Sequence, residues 1–415
     1  MTRAVQRRFM GQTTNTRELC MRIYKTYASI AAGMLALCLS GAAPAQEYAL
    51  STNLSLTGPW ANYGLGMHNS FKLAIDLANA SGALGPIKLR VVAGDNAGNA
   101  TQAVSLATKA GADPSVMGAF CCWASEFGIA THSIYQRYGL PVILGGSNDH
   151  RSSRPFHSDA VVFRNSPYDL INMKFAAIYA TEVAKFKQIY LIDDGSAFGR
   201  TQVDEFAKVV EQKAGKAAMI GRESIAQGEK DFTSLLTRIK PLNPDLVYFG
   251  GRIIEASLMR QQMVRLGLKA PLMTSGGTFS ETYIKITGDA AEGTLASFWG
   301  LPLATYPEGR GLAFEKAYAE ANLNNPYEAF GPMAYAAGEV FAQAIQAASK
   351  AGGVTRAAVL NQMNTQEFKT LIGDFKFDQN GMPGVIHIAI YEVKNGKWQL
   401  LFRTDPGATK LVKVE

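Results

Sequence analysis

VMGAFCCWASEFGIATHSIYQRYGLPVIL, residues 116–144, reads as a strand, a helix and a strand in close succession. Residues 116–120 form a short apolar run, 125–138 a helix, and 141–144 a second apolar run. The same alternation extends upstream. Residues 48–56 read as a strand, a Gly-rich turn leads to a helix over 69–79, 88–93 is a strand and 101–110 a helix. Strand and helix in strict alternation predict a parallel sheet flanked by helices.

After Arg164-Asn165-Ser166-Pro167 the pattern restarts. Helices are expected over 170–184, 201–214 and 255–266, and strands over 188–192, 246–249 and 272–274. The fold class is therefore α/β: two Rossmann-like lobes with parallel sheets. Near the C-terminus come an Ala-rich helix over 332–348, a strand and turn over 374–381, and a strand over 385–393 that could return to the second lobe. Residues 46–164 plus 300–382 are expected as one lobe, 165–299 plus 383–403 as the other, and 404–415 as a tail. Several crossings between lobes would make a hinge, not a free tether. Open parallel sheets bind ligands beyond the carboxyl ends of their strands, so two facing sheets define a cleft.

Residues 1–45 read as a cleaved secretory signal peptide: Arg22 and Lys25, an apolar run over 28–39, then Ala43-Pro44-Ala45. Met21 stands as a second candidate start, and Leu37 argues against a lipid anchor at Cys38. This leader holds six basic side chains and one acid, so of the chain's net charge of +7 only about +2 remains in the mature part. The basic balance then says nothing of nucleic acid. The adjacent pair Cys121-Cys122 is all the cysteine left; such a pair can close a strained ring, but two unpaired thiols are expected. No metal-ligand spacing, GxSxG or Walker loop occurs. Gly64-Leu65-Gly66-Met67-His68-Asn69 lacks the third glycine of a dinucleotide fingerprint. No enzyme activity and no cofactor are expected.

Two strand-end loops are site-like. In Trp123-Ala124-Ser125 an apolar strand gives way to a helix whose first amides and dipole favour a carboxylate or carbonyl; the plain alternative is that Ser125 is an N-cap. Gly145-Gly146-Ser147-Asn148 ends the neighbouring strand.

From about residue 47 to 402 the chain resembles the leucine/isoleucine/valine-type periplasmic binding proteins of ABC importers (type I periplasmic fold). The resemblance rests on Ser55-Leu56-Thr57-Gly58-Pro59, Gly228-Glu229-Lys230-Asp231-Phe232, the run Pro244 to Gly251, Gly288 to Gly293, and Asp378 to Gly381 before a strand. Cys122-Trp123-Ala124-Ser125 also resembles a motif of the amide- and urea-binding branch. The resemblance implies ligand contacts from Tyr63, Trp123, Ala124, Ser125, Gly146, Ser147, Asn148, Phe198, Arg252 and Phe330. It places Gly276 where the leucine-type proteins carry a Glu for the ligand's ammonium, a role that Asp194 or Glu281 would have to fill. Arg252 stands where the family has Tyr, and wants either a planar anion or a surface partner in Glu255. The implied protein is a monomeric periplasmic carrier that gives a small molecule to importer permease subunits. Its preferred cargo is a carboxylate with an aromatic or branched apolar body; the alternatives are an amino acid, an amide or urea-like compound, or a sensing receptor of the same fold.

Overall fold

The computed structural model describes residues 46–152, 160–384, 387–405 and 407–414. The expected signal peptide lies outside the described residues. The first half runs β1 (Gln46–Asn53), α1 (Ala61–Ala80), β2 (Ile87–Val92), α2 (Ala100–Ala112), β3 (Val116–Cys121), α3 (Ser125–Arg137), β4 (Val142–Leu144) and β5 (Val162–Arg164). Its sheet has the order β2-β1-β3-β4-β5, and β1, β3, β4 and β5 pair in parallel. β3 is buried at every position, as expected for a central strand covered on both faces. Phe120 from β3 stacks on Phe71 from α1 at 5.1 Å; truncating either ring would cost about 3–5 kcal/mol.

The second half runs α4 (Asp169–Ile178), β6 (Ile189–Asp193), α5 (Ala197–Ala214), β7 (Met219–Ser224), α6 (Thr233–Ile239), β8 (Leu246–Gly250), α7 (Ile253–Arg265), β9 (Leu272–Thr274), α8 (Glu281–Thr287) and β10 (Leu295–Phe298). α4 continues as one π-helical turn, Tyr179–Val183. Then follow α9 (Arg310–Glu320), α10 (Gly331–Lys350), α11 (Arg356–Thr365), a ribbon of β11 (Phe368–Thr370) and β12 (Gly373–Phe375), and β13 (Ala389–Lys394), β14 (Lys397–Thr404) and β15 (Leu411–Lys413). The second sheet has the order β15-β14-β13-β10-β9-β8-β6-β7. The strand expected over 385–393 is β13, Ala389–Lys394, which joins the second sheet antiparallel to β10. Residues 404–415, expected as a tail, instead supply β15, which pairs with β14 through Phe402, Arg403 and Thr404.

The helix expected over 69–79 begins at Ala61. Gly64 and Gly66, read as turn signals, lie inside it and mark close approach: a Cβ at Gly64 would overlap Ser55 O, and one at Gly66 would sit 2.7 Å from Tyr327 O. The fingerprint-like stretch is thus helix and not a phosphate loop. α10 packs along α1, with Gly338 against Ala74.

Within the described residues the chain passes between the sheets three times: after β5, after β10 and before β13. The first and third passages lie side by side, since Arg164 N donates to Gly381 O at 2.9 Å. The Arg164 guanidinium is fully buried, donates to Ser147 O and Ser152 O, and lies over the Tyr168 ring at 4.3 Å. Asp169 follows, its carboxylate oxygens buried without a hydrogen-bond partner among the described residues. Burial, reinforced by Asp149, pushes its carboxyl up to about 8 against the pull of Arg164. Between the ordinary carboxylate range and that value, the folded protein holds a proton that the unfolded chain has released. Stability from this group therefore falls as pH rises through the window. Urea unfolding at about pH 5 and about pH 8 should show a loss of a few kcal/mol that Asp169→Asn largely abolishes.

Candidate functional site

The carboxyl ends of both sheets face one another across a cleft. From the first half come the loops after β1, β3 and β4; from the second, those after β6, β8, β9 and β10. Trp123, Ala124, Gly146, Phe198, Arg252, Gly277, Trp299 and Phe330 enclose a cavity of about 10 Å³, room for roughly one water molecule. Aromatic rings make its walls. Tyr63 stacks on Trp123 at 4.2 Å, Phe330 meets Tyr63 edge-on at 5.6 Å, and Trp299 lies 5.8 Å from Phe330.

Polar links also join the two halves. Tyr63 Oη donates to Gly277 O at 2.9 Å, and burial followed by the charge of Glu328 raises its pKa well above the ordinary value, keeping the donor protonated. Thr201 Oγ1 donates to Asp149 Oδ2, and Ser280 Oγ and Thr282 Oγ1 donate to Glu328, each at 2.8 Å. Arg252 Nη2 donates to both oxygens of Glu126 at 2.9 and 3.0 Å, while Nη1 donates to Asp194 at 3.1 Å. Its guanidinium lies 4.8 Å from the Trp60 ring and 5.5 Å from those of Trp123 and Phe198.

α3 starts at Ser125 with Ala124 as its cap residue, and no side chain caps its first amides. The Ser125 hydroxyl is buried without a partner among the described residues, as is the indole N–H of Trp299 in the cavity wall. Unpaired buried donors are costly. Together with the helix dipole, they suit an acceptor-rich group such as a carboxylate.

The periplasmic binding protein family model matches residues 52–397. The chain belongs to that family. A Leu/Ile/Val-binding protein homolog of Brucella suis is 29% identical over 346 residues, 83% of this chain and 89% of the relative. A leucine-binding protein from Thermotoga maritima superposes with a TM-score of 0.76 at 21% identity, covering 87% of this chain and 99% of that one. A solute-binding protein from R. palustris, solved with benzoate, gives 0.73 at 22% identity, covering 89% and 98%. As a periplasmic binding protein, the chain carries a ligand and does not transform it.

Of the residues expected to meet ligand, Trp123, Ala124, Gly146, Phe198, Arg252 and Phe330 line the cavity, and Tyr63 packs on Trp123. Ser147 and Asn148 stand behind it, bonded to Ser152 and Ser166. Ser125 is not the N-cap, and Ser196, braced by Asp194, caps α5. Gly276 faces Trp299: a Cβ there would come 2.8 Å from the indole, so the ring fills the space an acidic side chain would need. Arg252 corrects the sequence reading most. It is 5% exposed and pairs with Glu126 and Asp194, not with Glu255, whose carboxylate accepts from Gly228 N. Cys121 and Cys122, expected as free thiols, are joined as a disulfide; Cys122 at φ 72° brings both side chains toward the Thr131 hydroxyl.

Sequence reasoning missed Trp60, Glu126, Gly277 and Trp299. Trp60 precedes α1, three residues before Tyr63, and Trp299 directly follows β10, so both carried a positional signal. Glu126 did not, because an acid in a first helical turn reads as a dipole partner. Arg252→Ala strips a buried Asp194 of its counter-charge and should cost about 3–5 kcal/mol in denaturant unfolding. Glu126, at 26% side-chain exposure, is more tolerant. Glu126→Gln should cost about 1 kcal/mol or less, yet enlarge the radius of gyration in small-angle scattering as the halves part.

Proposed function

We propose that this chain captures a small carboxylate with an aromatic or branched apolar body outside the cytoplasm and hands it, as a monomer, to the permease of an ABC importer. The observation that carries the cargo class is the pair of unpaired buried donors, the Ser125 hydroxyl at the uncapped start of α3 and the Trp299 indole N–H, beside aromatic walls. The carboxylate would meet these donors, and the body would lie against Tyr63, Trp123, Phe198, Trp299 and Phe330. Benzoate in the R. palustris protein is a ligand of this class. Arg252, already neutralised by two acids, serves as a latch on the closed form.

A cavity the size of one water admits no such ligand, so capture begins with the halves apart. The ligand docks on the first half, and closure follows because the second half adds contacts only then. Micromolar affinity corresponds to about −8 kcal/mol. A ligand of about a dozen heavy atoms reaches it at roughly −0.7 kcal/mol per atom, within the usual range.

An amino acid is the second reading. It is favoured by the Brucella relative, a Leu/Ile/Val-binding protein homolog, and by Asp194, a buried carboxylate bonded to Arg252 of the cavity wall. Calorimetric titration with benzoate, leucine and urea separates the classes. Benzoate should bind, with Ser125→Ala weakening it by roughly tenfold to a hundredfold, as expected for loss of a hydrogen bond to a charged group. Binding of leucine alone would replace the carboxylate reading with the amino-acid one.

A further inference from the structure

Beside the cleft opens a much larger cavity, about 740 Å³, within the usual size range of small-molecule sites. Phe298 lines it and packs edge-on at 5.6 Å against Phe330 of the cleft wall. Phe279 is the centre of its aromatic lining, 4.4 Å from Tyr391, 4.7 Å from Phe298 and 5.1 Å from Trp398. Two carboxylates share the lining, Glu281 and Glu328.

Glu328 is 8% exposed, and its partners are hydroxyls: Ser280 and Thr282 at 2.8 Å. Among the described residues no Lys or Arg nitrogen forms an ion pair with Glu328 or Glu281. Lys285 lines the cavity and Lys397 lies near Glu281, but both side chains run in solvent. Partial burial, and then the charge of Glu328, raises the Glu281 carboxyl. The backbone at Glu328 is held at φ 52°, a conformation unfavourable for a residue with a Cβ. A carboxylate drawn out of water and short of positive charge, among ring faces of negative potential, selects a cation with an apolar body.

We infer that this cavity is a second ligand site, taking an amine with an aromatic or aliphatic body, its ammonium between Glu328 and Glu281. The site does not depend on the cargo assigned to the cleft. Its lining comes from both sides of the second passage, and Glu328 is the acceptor of two links between the halves. An amine bound there therefore acts on the same contacts that hold the molecule closed.

Calorimetric titration of the full chain with benzylamine, and with benzyl alcohol as its uncharged counterpart, tests this. Benzylamine should bind at least about tenfold more tightly than the alcohol. Glu281→Gln and Glu328→Gln should each weaken it by roughly tenfold, and Ser125→Ala should leave it unchanged. Glu281 is exposed, so its variant reports on the site even where Glu328→Gln disturbs folding. Absence of benzylamine binding, equal affinity for the alcohol, or indifference to Glu281→Gln would each overturn the assignment. Loss of binding in Ser125→Ala would too, by placing the amine in the cleft.

Discussion

A guanidinium drawn out of water is costly unless its charge is answered, and the closed form of this protein is organised around that requirement at Arg252. The residue sits on the loop after β8, but one of its two counter-charges, Glu126, belongs to α3 in the opposite half. The ring faces of Trp60, Trp123 and Phe198 complete its surroundings. Charge and aromatic contact thus meet only when the halves are together. A ligand need not create this arrangement; it has to compete with a version the protein makes from its own side chains, then replace some of those contacts with better ones.

The architecture was legible because its longest signals were also its most buried. β3, β8 and β9 are buried at every position and mostly apolar, and the helices between them repeat at regular intervals. The elements without a reading are weaker for physical reasons. β7, MIGRES, is an edge strand only half buried, so its sequence stays polar. β5 is three residues long and ends in a buried arginine. In α1 the glycines that looked like a turn are there for close packing against other backbone, which local propensity cannot distinguish from a bend.

At the site, family resemblance and strand-end geometry found the aromatic and small-residue walls. They failed where one side chain's role is set by another distant in sequence. Arg252 looked like a partner for a ligand anion or for Glu255 because Glu126 is far from it along the chain, and Gly276 looked like a missing acid because the ring of Trp299 could not be foreseen in its place. Glu328 lies in a loop with no periodic signal, and only the fold brings Ser280 and Thr282 to it.

The segment expected as a tail has a consequence of its own. By pairing with β14, residues 411–413 take up hydrogen-bonding groups that would otherwise line the outer margin of the second sheet. Ending the chain at Thr404 would bare the last residues of β14, Phe402 to Thr404, and lengthen the margin that a neighbouring strand could pair with. Residues 411–413 thus shield part of that margin from another strand, and β15 itself becomes the outer strand of the sheet.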